Sequence, residues 1–173
     1  MLLEENWDEV KRLFGKSFRS SLHYAIATVN ENGEPHVTPI GSLILAETGR
    51  GFYFEEFARQ LPANLQKNRQ ICILAVNSNR WFWIKSLFLG KFSAPPAIRL
   101  FGSVGEVRKA DQQEVDLWHR RVRKVRFSKG FAILWRNMRW VRDIEFSRVE
   151  PVYMGEMTRD VWKVLSSSEG SAE

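Results

Sequence analysis

The stretch that decides the fold runs from His23 to Asn64. It reads His23-Tyr-Ala-Ile-Ala-Thr-Val29, a turn Asn30-Glu-Asn-Gly33, then Glu34-Pro-His-Val-Thr-Pro-Ile-Gly-Ser-Leu-Ile-Leu45, a second turn Glu47-Thr-Gly-Arg-Gly51, and Phe52-Tyr-Phe54. β-Branched and aromatic residues between Asn-Gly and Gly-x-Gly punctuation predict three strands joined as consecutive hairpins. Tyr24, Ile26 and Thr28 alternate with Ala25, Ala27 and Val29, so both faces of the first strand are rather apolar and the small residues cluster on one. That suits the tight interior of a small closed sheet. Proline donates nothing to a ladder, so the chain around Pro39, from Thr38 to Gly41, is expected to be unpaired on one side. Glu55-Glu-Phe-Ala-Arg-Gln-Leu-Pro62 follows, with Pro62 suited to the first position of a short helix that carries Asn64. Strand edges, helix-start N–H groups and the Arg59 cation in one place suit an anionic planar ligand.

The order Ala27-Thr-Val29, a Gly turn, Pro35-His-Val-Thr-Pro-Ile40, a second Gly turn, Phe52-Tyr-Phe54 and Asn64-Leu-x-x-Asn68 before an apolar strand resembles the pyridoxamine 5′-phosphate oxidase-like, FMN-binding split-barrel family. The resemblance covers roughly the first two-thirds of the chain in motif and the last third only in element order. It implies a β-barrel with flanking helices (α+β), a six-stranded antiparallel split barrel that forms a homodimer. A barrel this small cannot enclose FMN among its packed side chains, so the cofactor lies outside, in a groove that the second subunit completes in this family.

The resemblance also implies where FMN rests. The flavin ring lies against the backbone of Thr38, Pro39, Ile40, Gly41 and Ser42 and of Phe54 and Glu55, which offer N–H and C=O groups to its edge. A phosphate is best held by Arg or Lys with the N–H groups of a helix start. The family carries a basic residue three positions before the Asn-Leu pair, where this chain has Leu61; Arg59 and Gln60 are left to supply the contacts, with Asn64 and Lys67 in support.

At 173 residues the chain has the size of one domain, and 44% hydrophobic with 27% charged residues is a globular composition. Seven Trp and twelve Phe exceed what a small core needs, so some are expected in a pocket or interface. Cys72 is the only cysteine, which excludes an intrachain disulfide and suits the cytoplasm. The N-terminus lacks a secretion signal and no apolar run is long enough to span a membrane, so the reading is a soluble or at most peripheral protein. The net charge of +6 favours acidic partners, and its excess lies late, from Arg120 to Arg148.

Asn6 to Phe14 reads as an amphipathic helix ending at Gly15, an N-terminal element over residues 1–16. Ile71 to Val76 reads as a buried strand with Cys72 in its core. Residues 78–96 are too long for a hairpin turn and too aromatic for a linker; Trp81, Phe82, Trp83, Phe88 and Phe92 interleave with Arg80, Lys85 and Lys91. Residues 80–96 are read as a lid over an apolar or aromatic substrate or an interface insertion, with contact to a membrane surface as the other reading. Ile98 to Val107 resumes as a strand, with Gly102 and Gly105 marking a bulge or close approach. Asp111 caps a helix with Val115, Trp118, Val122 and Val125 on one face and Arg120, Arg121, Arg123 and Lys124 mainly on the other. Arg142 to Met154 reads as the closing strand and 166–173 as a polar tail.

No hydrolase, zinc, Walker or dinucleotide motif is present, so a cofactor would carry the chemistry. The expectation is an FMN-dependent oxidoreductase acting on a small molecule, with no catalytic side chain assigned; His36 lies near the expected flavin but equally suits a surface strand. Pyridoxamine phosphate oxidase proper and the haem-degrading relatives are disfavoured, because their C-terminal histidines have no counterpart after His119. A non-catalytic flavin- or haem-binding protein is the alternative. A basic nucleic-acid-binding module along Arg120 to Arg126 is the other, with a solvated face balanced by Asp111, Glu114 and Asp116 the plainer reading of that helix.

Overall fold

The computed structural model describes residues 3–56, 58–125, 127–135 and 137–166. Helix α1 (Trp7–Ser21) leads into β1 (Tyr24–Val29), β2 (Pro35–Ile40), β3 (Ile44–Leu45), β4 (Arg50–Phe54), α2 (Gln60–Lys67), β5 (Gln70–Val76), α3 (Arg80–Leu89) and β6 (Ala97–Lys109). Helices α4 (Gln112–Arg121) and α5 (Lys129–Leu134), strand β7 (Trp140–Pro151) and helix α6 (Arg159–Ser166) complete the chain. The strands form one sheet in the order β2-β1-β5-β6-β7-β4-β3, with every pairing antiparallel.

The expected antiparallel split barrel with flanking helices is present, built from seven strands rather than six in a sheet that is not closed. The long second strand divides: Gly41, Ser42 and Leu43 leave the ladder, so β2 pairs with β1 at one edge and β3 with β4 at the other. Four backbone steps from Ile40 to Ile44 span at most about 14 Å. Laid flat, six interstrand steps would hold the two edges roughly 29 Å apart. The sheet must curl, and its edges face each other across the 41–43 link.

The interior fills from both sides. Val10, Ile26, Leu43, Ile73 and Leu100 are fully buried in one cluster beneath α1. Phe52, Phe54, Trp118, Val122, Phe131, Met138 and Val141 form a second cluster under α4 and α5. Strand β4, running between these clusters, is buried from Gly51 to Phe54.

Several boundaries differ from the sequence reading. Helix α1 does not end at Gly15 but continues to Ser21, where Leu22 takes a left-handed cap at φ 63°. Burial of Trp7, Val10, Leu13, Phe14 and Ser17 on one face outweighs the helix penalty of roughly 1 kcal/mol for a glycine. Pro62 is the third residue of α2 rather than the first, still within the turn that needs no N–H partner. Cys72 is half-buried on the outer face of β5, not in the core, because Ile71, Ile73 and Ala75 take the inner positions. The aromatic 80–96 segment is not an irregular loop: Asn79 caps Phe82 N–H, α3 runs for ten residues, and Gly90 ends it in the left-handed region. Phe82 and Trp83 pack on Phe92, whereas Trp81 and Phe88 are 78% and 87% exposed. Asp111 caps α4 in a full capping box with Glu114, which is buried and ion-paired to Arg108 rather than solvated. The side chain of Val125 and the tail 167–173 lie outside the described residues. Among those described, no helix is long and apolar enough to cross a membrane.

The β6 bulges fall where the glycines stand, with register shifts at Phe101/Gly102 and Val104/Val107. A Cβ at Gly102 would sit 2.3 Å from the Glu145 carbonyl oxygen, whereas one at Gly105 meets nothing closer than 3.9 Å. Gly102→Ala is expected to cost about 1–3 kcal/mol and Gly105→Ala far less, measured by urea unfolding. Equal costs would show that β6 does not lie this close to β7.

Candidate functional site

Two of the expected site segments, the end of β2 and the end of β4, meet at the link between the sheet edges. Ser42 Oγ donates to the Phe54 carbonyl at 3.0 Å and accepts from Phe54 N–H at 3.1 Å, pinning the end of β2 against the end of β4. Thr38 is half-buried and Pro39 exposed, and β2 has no strand on its outer side among the described residues. That edge fits the rim of a flat heteroaromatic ring, which needs a few backbone N–H and C=O groups.

Glu55 has a different occupation. Its carboxylate accepts from Arg142 Nε at 2.8 Å, from Arg142 Nη2 at 2.7 Å and from the Tyr53 hydroxyl at 2.6 Å. The Arg142 and Glu55 side chains are only 6% and 7% exposed, and Arg142 Nη1 also donates to the Gly105 carbonyl at 2.9 Å. Glu55 N–H donates to the Trp140 carbonyl at 2.9 Å. This buried pair bolts β4 to β7. Burial and the bond to Glu55 push the Tyr53 hydroxyl far above its usual range, and the Glu55 carboxylate holds the Arg142 guanidinium in its charged form.

Helix α2 presents Arg59 at its N-cap position and Gln60 at its first, both exposed. Asn64 turns inward: it accepts from Gln60 Nε2 at 2.9 Å and donates to Thr28 Oγ1 at 2.9 Å, tying α2 to β1. Leu61, at the family's basic position, is 1% exposed. Arg59 and Gln60 are left exposed at the start of α2, Gln60 with one bond to Asn64, while the Asn64 side chain is engaged in the frame. His36 lies half-buried on β2 opposite Thr28, within 3.4 Å of the Asn30 amide, and His23 contacts the Ser21 carbonyl at 2.7 Å. The described residues contain no His, Cys, Asp and Glu group that could hold a metal.

A cavity of about 580 Å³ opens between α1 and α4, and of the expected site residues only Gly41 lines it. Arg121 crosses its wall. The guanidinium donates to the Leu43 carbonyl and, at 2.7 Å, to the Tyr24 hydroxyl, and stacks 3.8 Å above the Phe18 ring. Arg121 is thus turned inward rather than lying on the basic solvated face with Arg120, Arg123 and Lys124, all of which are exposed. Arg126 lies outside the described residues. Sequence reading missed Arg121 and Tyr24 because they are 97 residues apart.

Curled sheet, opposed edges and flanking helices define an antiparallel split barrel. The sequence pattern of the pyridoxamine 5′-phosphate oxidase family matches residues 15–153, and the chain belongs to that family. Comparison with curated proteins found no match. Among solved structures, an FMN-binding protein from Syntrophomonas wolfei subsp. wolfei is 13% identical with a TM-score of 0.56, the alignment covering 87% of this chain and 94% of that one. HutZ, the heme storage protein from Vibrio cholerae, is 17% identical with a TM-score of 0.55, over 87% and 95%. HupZ of Group A Streptococcus is 18% identical with a TM-score of 0.55, over 84% and 92%. At these identities the likeness is one of fold.

Two outcomes test this geometry. Glu55→Ala leaves the Arg142 charge buried without its partner and is expected to cost about 3–5 kcal/mol in urea unfolding; a near-neutral change would mean that Glu55 is free to serve a ligand instead. Burial raises the Tyr24 and Tyr53 hydroxyls above the ordinary 10.0, so the folded state keeps protons that the unfolded chain releases. Their contribution is complete below that value and is lost as pH climbs towards the folded values. Tyrosinate absorbance from these two residues should rise together with loss of near-ultraviolet circular dichroism, and not before it.

Proposed function

We propose that this protein is an FMN-binding flavoprotein, an oxidoreductase acting on a small apolar or aromatic molecule as a cytoplasmic homodimer. The observation that supports the reading is the Ser42–Phe54 pairing that joins the end of the open β2 edge to the end of β4, with the Arg59 start of α2 five residues further along, in a chain that belongs to the pyridoxamine 5′-phosphate oxidase family. Thr38, Pro39, Ile40, Gly41 and Ser42 supply the backbone rim for the ring. Phe54 and Glu55 border it with their polar groups committed to Ser42, Trp140 and Arg142. Arg59, Gln60 and the first N–H groups of α2 hold the phosphate, and Asn64 keeps that helix against β1. FMN supplies hydride and electron transfer when bound. The fold shared with an FMN-binding protein supports this cofactor, and the fold shared with a heme storage protein makes haem the second reading. The absorption spectrum of the purified protein separates the two.

The exposed apolar residues of α3, among them Trp81, Leu87 and Phe88, support a dimer, since monomers seldom leave such a patch bare.

Losing an arginine contact to phosphate removes about one to two decades of affinity. Arg59→Ala is expected to weaken FMN binding to that extent and Arg120→Ala hardly at all, measured by titrating the apoprotein. No binding, or equal loss in both variants, would overturn the assignment. Light scattering should report the mass of two 20.2 kDa chains. A single-chain mass at low micromolar concentration removes the dimer.

A further inference from the structure

The cleft between α1 and α4 is a second site, which shares only Gly41 with the residues assigned to the flavin. Its walls are apolar and aromatic, built by Phe14 and Phe18 of α1, Tyr24 of β1, Ile44 of β3 and Trp118 of α4. Its charged lining residues are Lys11, Arg19, Arg121 and Lys124, with no carboxylate among the residues lining it. A volume of about 580 Å³ lies within the range of small-molecule sites.

Two donors behind this wall lack acceptors. The Nε of Arg121 and the indole Nε1 of Trp118 are buried with no hydrogen-bond partner among the described residues, and Trp118 is only 1% exposed. Neither atom reaches the open space of the cleft, so what Arg121 can turn to a ligand is its Nη groups, whose two observed acceptors are neutral. The Arg121 guanidinium is held in place for this by the Leu43 carbonyl, the Tyr24 hydroxyl and the Phe18 ring.

Gly15 adds a third observation. It lies mid-helix in α1 and lines the cleft, yet no tight packing requires it: a Cβ there would meet nothing nearer than Arg19 Nη1 at 3.7 Å. A glycine inside a helix is unfavourable relative to alanine. What its missing side chain provides here is open volume in the cleft wall.

We propose that the α1–α4 cleft binds an amphipathic carboxylate, its apolar body between the aromatic walls and its carboxylate against Arg121. The carboxylate offers a charged acceptor to a guanidinium whose observed acceptors, a carbonyl and a hydroxyl, are neutral, and such charge-assisted bonds are the stronger ones. The rim cations Lys11 and Lys124 select the anion over a neutral molecule of the same body.

The test is calorimetric titration of the full-length protein with dodecanoate, below its micelle-forming concentration, against dodecanol. Dodecanoate should bind at least about tenfold more tightly than the alcohol. Gly15→Leu should keep or raise the melting temperature and abolish binding by filling the cleft. The pair Lys11→Gln with Lys124→Gln, both at exposed positions, should reduce the preference for the carboxylate, which keeps the question decidable if Gly15→Leu does not fold. FMN should not displace dodecanoate. Equal affinity for acid and alcohol, unchanged binding in a folded Gly15→Leu protein, or competition by FMN would each overturn the proposal. Dodecanoate binding by a protein that takes no FMN would leave it standing while the flavin reading fell.

Discussion

Three residues, Gly41-Ser-Leu43, carry the constraint on which the rest of the molecule depends. They join strands at opposite edges of a seven-stranded sheet, and so short a tether forbids the sheet from lying flat. Each residue of the tether is held separately. Gly41 passes close to the Leu22 carbonyl, where a Cβ would come within 3.0 Å; Ser42 bonds both backbone groups of Phe54; Leu43 is fully buried and its carbonyl accepts from Arg121. The same tether leaves β2 without an outer neighbour, which is where backbone groups remain for a ligand.

Two groups of charges brace the sheet from within. Arg142 and Glu55 join β7 to β4, and Arg108 bridges Asp143 of β7 and Glu114 of α4. Replacing a buried pair wholesale by apolar residues is often neutral, whereas removing one partner is expensive, so such pairs constrain arrangement more than they add stability. Arg121 differs from these arginines. Its two observed acceptors are neutral, a carbonyl and a hydroxyl, and it faces a cavity.

Helix α3 shows how composition can mislead about conformation. The aromatic segment 78–96 after a strand reads as a lid or interface insertion rather than as a helix. The local capping chemistry decides otherwise, with Asn79 at one end and Gly90 at the other, and straight-chain and aromatic residues between them carry the helix. Because the helix is apolar nearly all round, its period could not be read from hydrophobicity.

Much was legible in the order of residues. Turn chemistry at Asn32-Gly33 and Gly49-Arg-Gly51, the one-sided pairing at Pro39, the Asp111 cap and the Gly102 bulge are local, each set by the backbone freedom or donor inventory of one or two residues, and each appears as read. The tertiary structure alone decided which strands are neighbours, that a single apparent strand serves both edges, and that Glu55, Asn64 and Arg121 are occupied by partners 87, 36 and 97 residues away. Those contacts depend on long-range closure of the sheet. Local propensity cannot encode a partner that reaches hydrogen-bonding distance only once the whole sheet has curled.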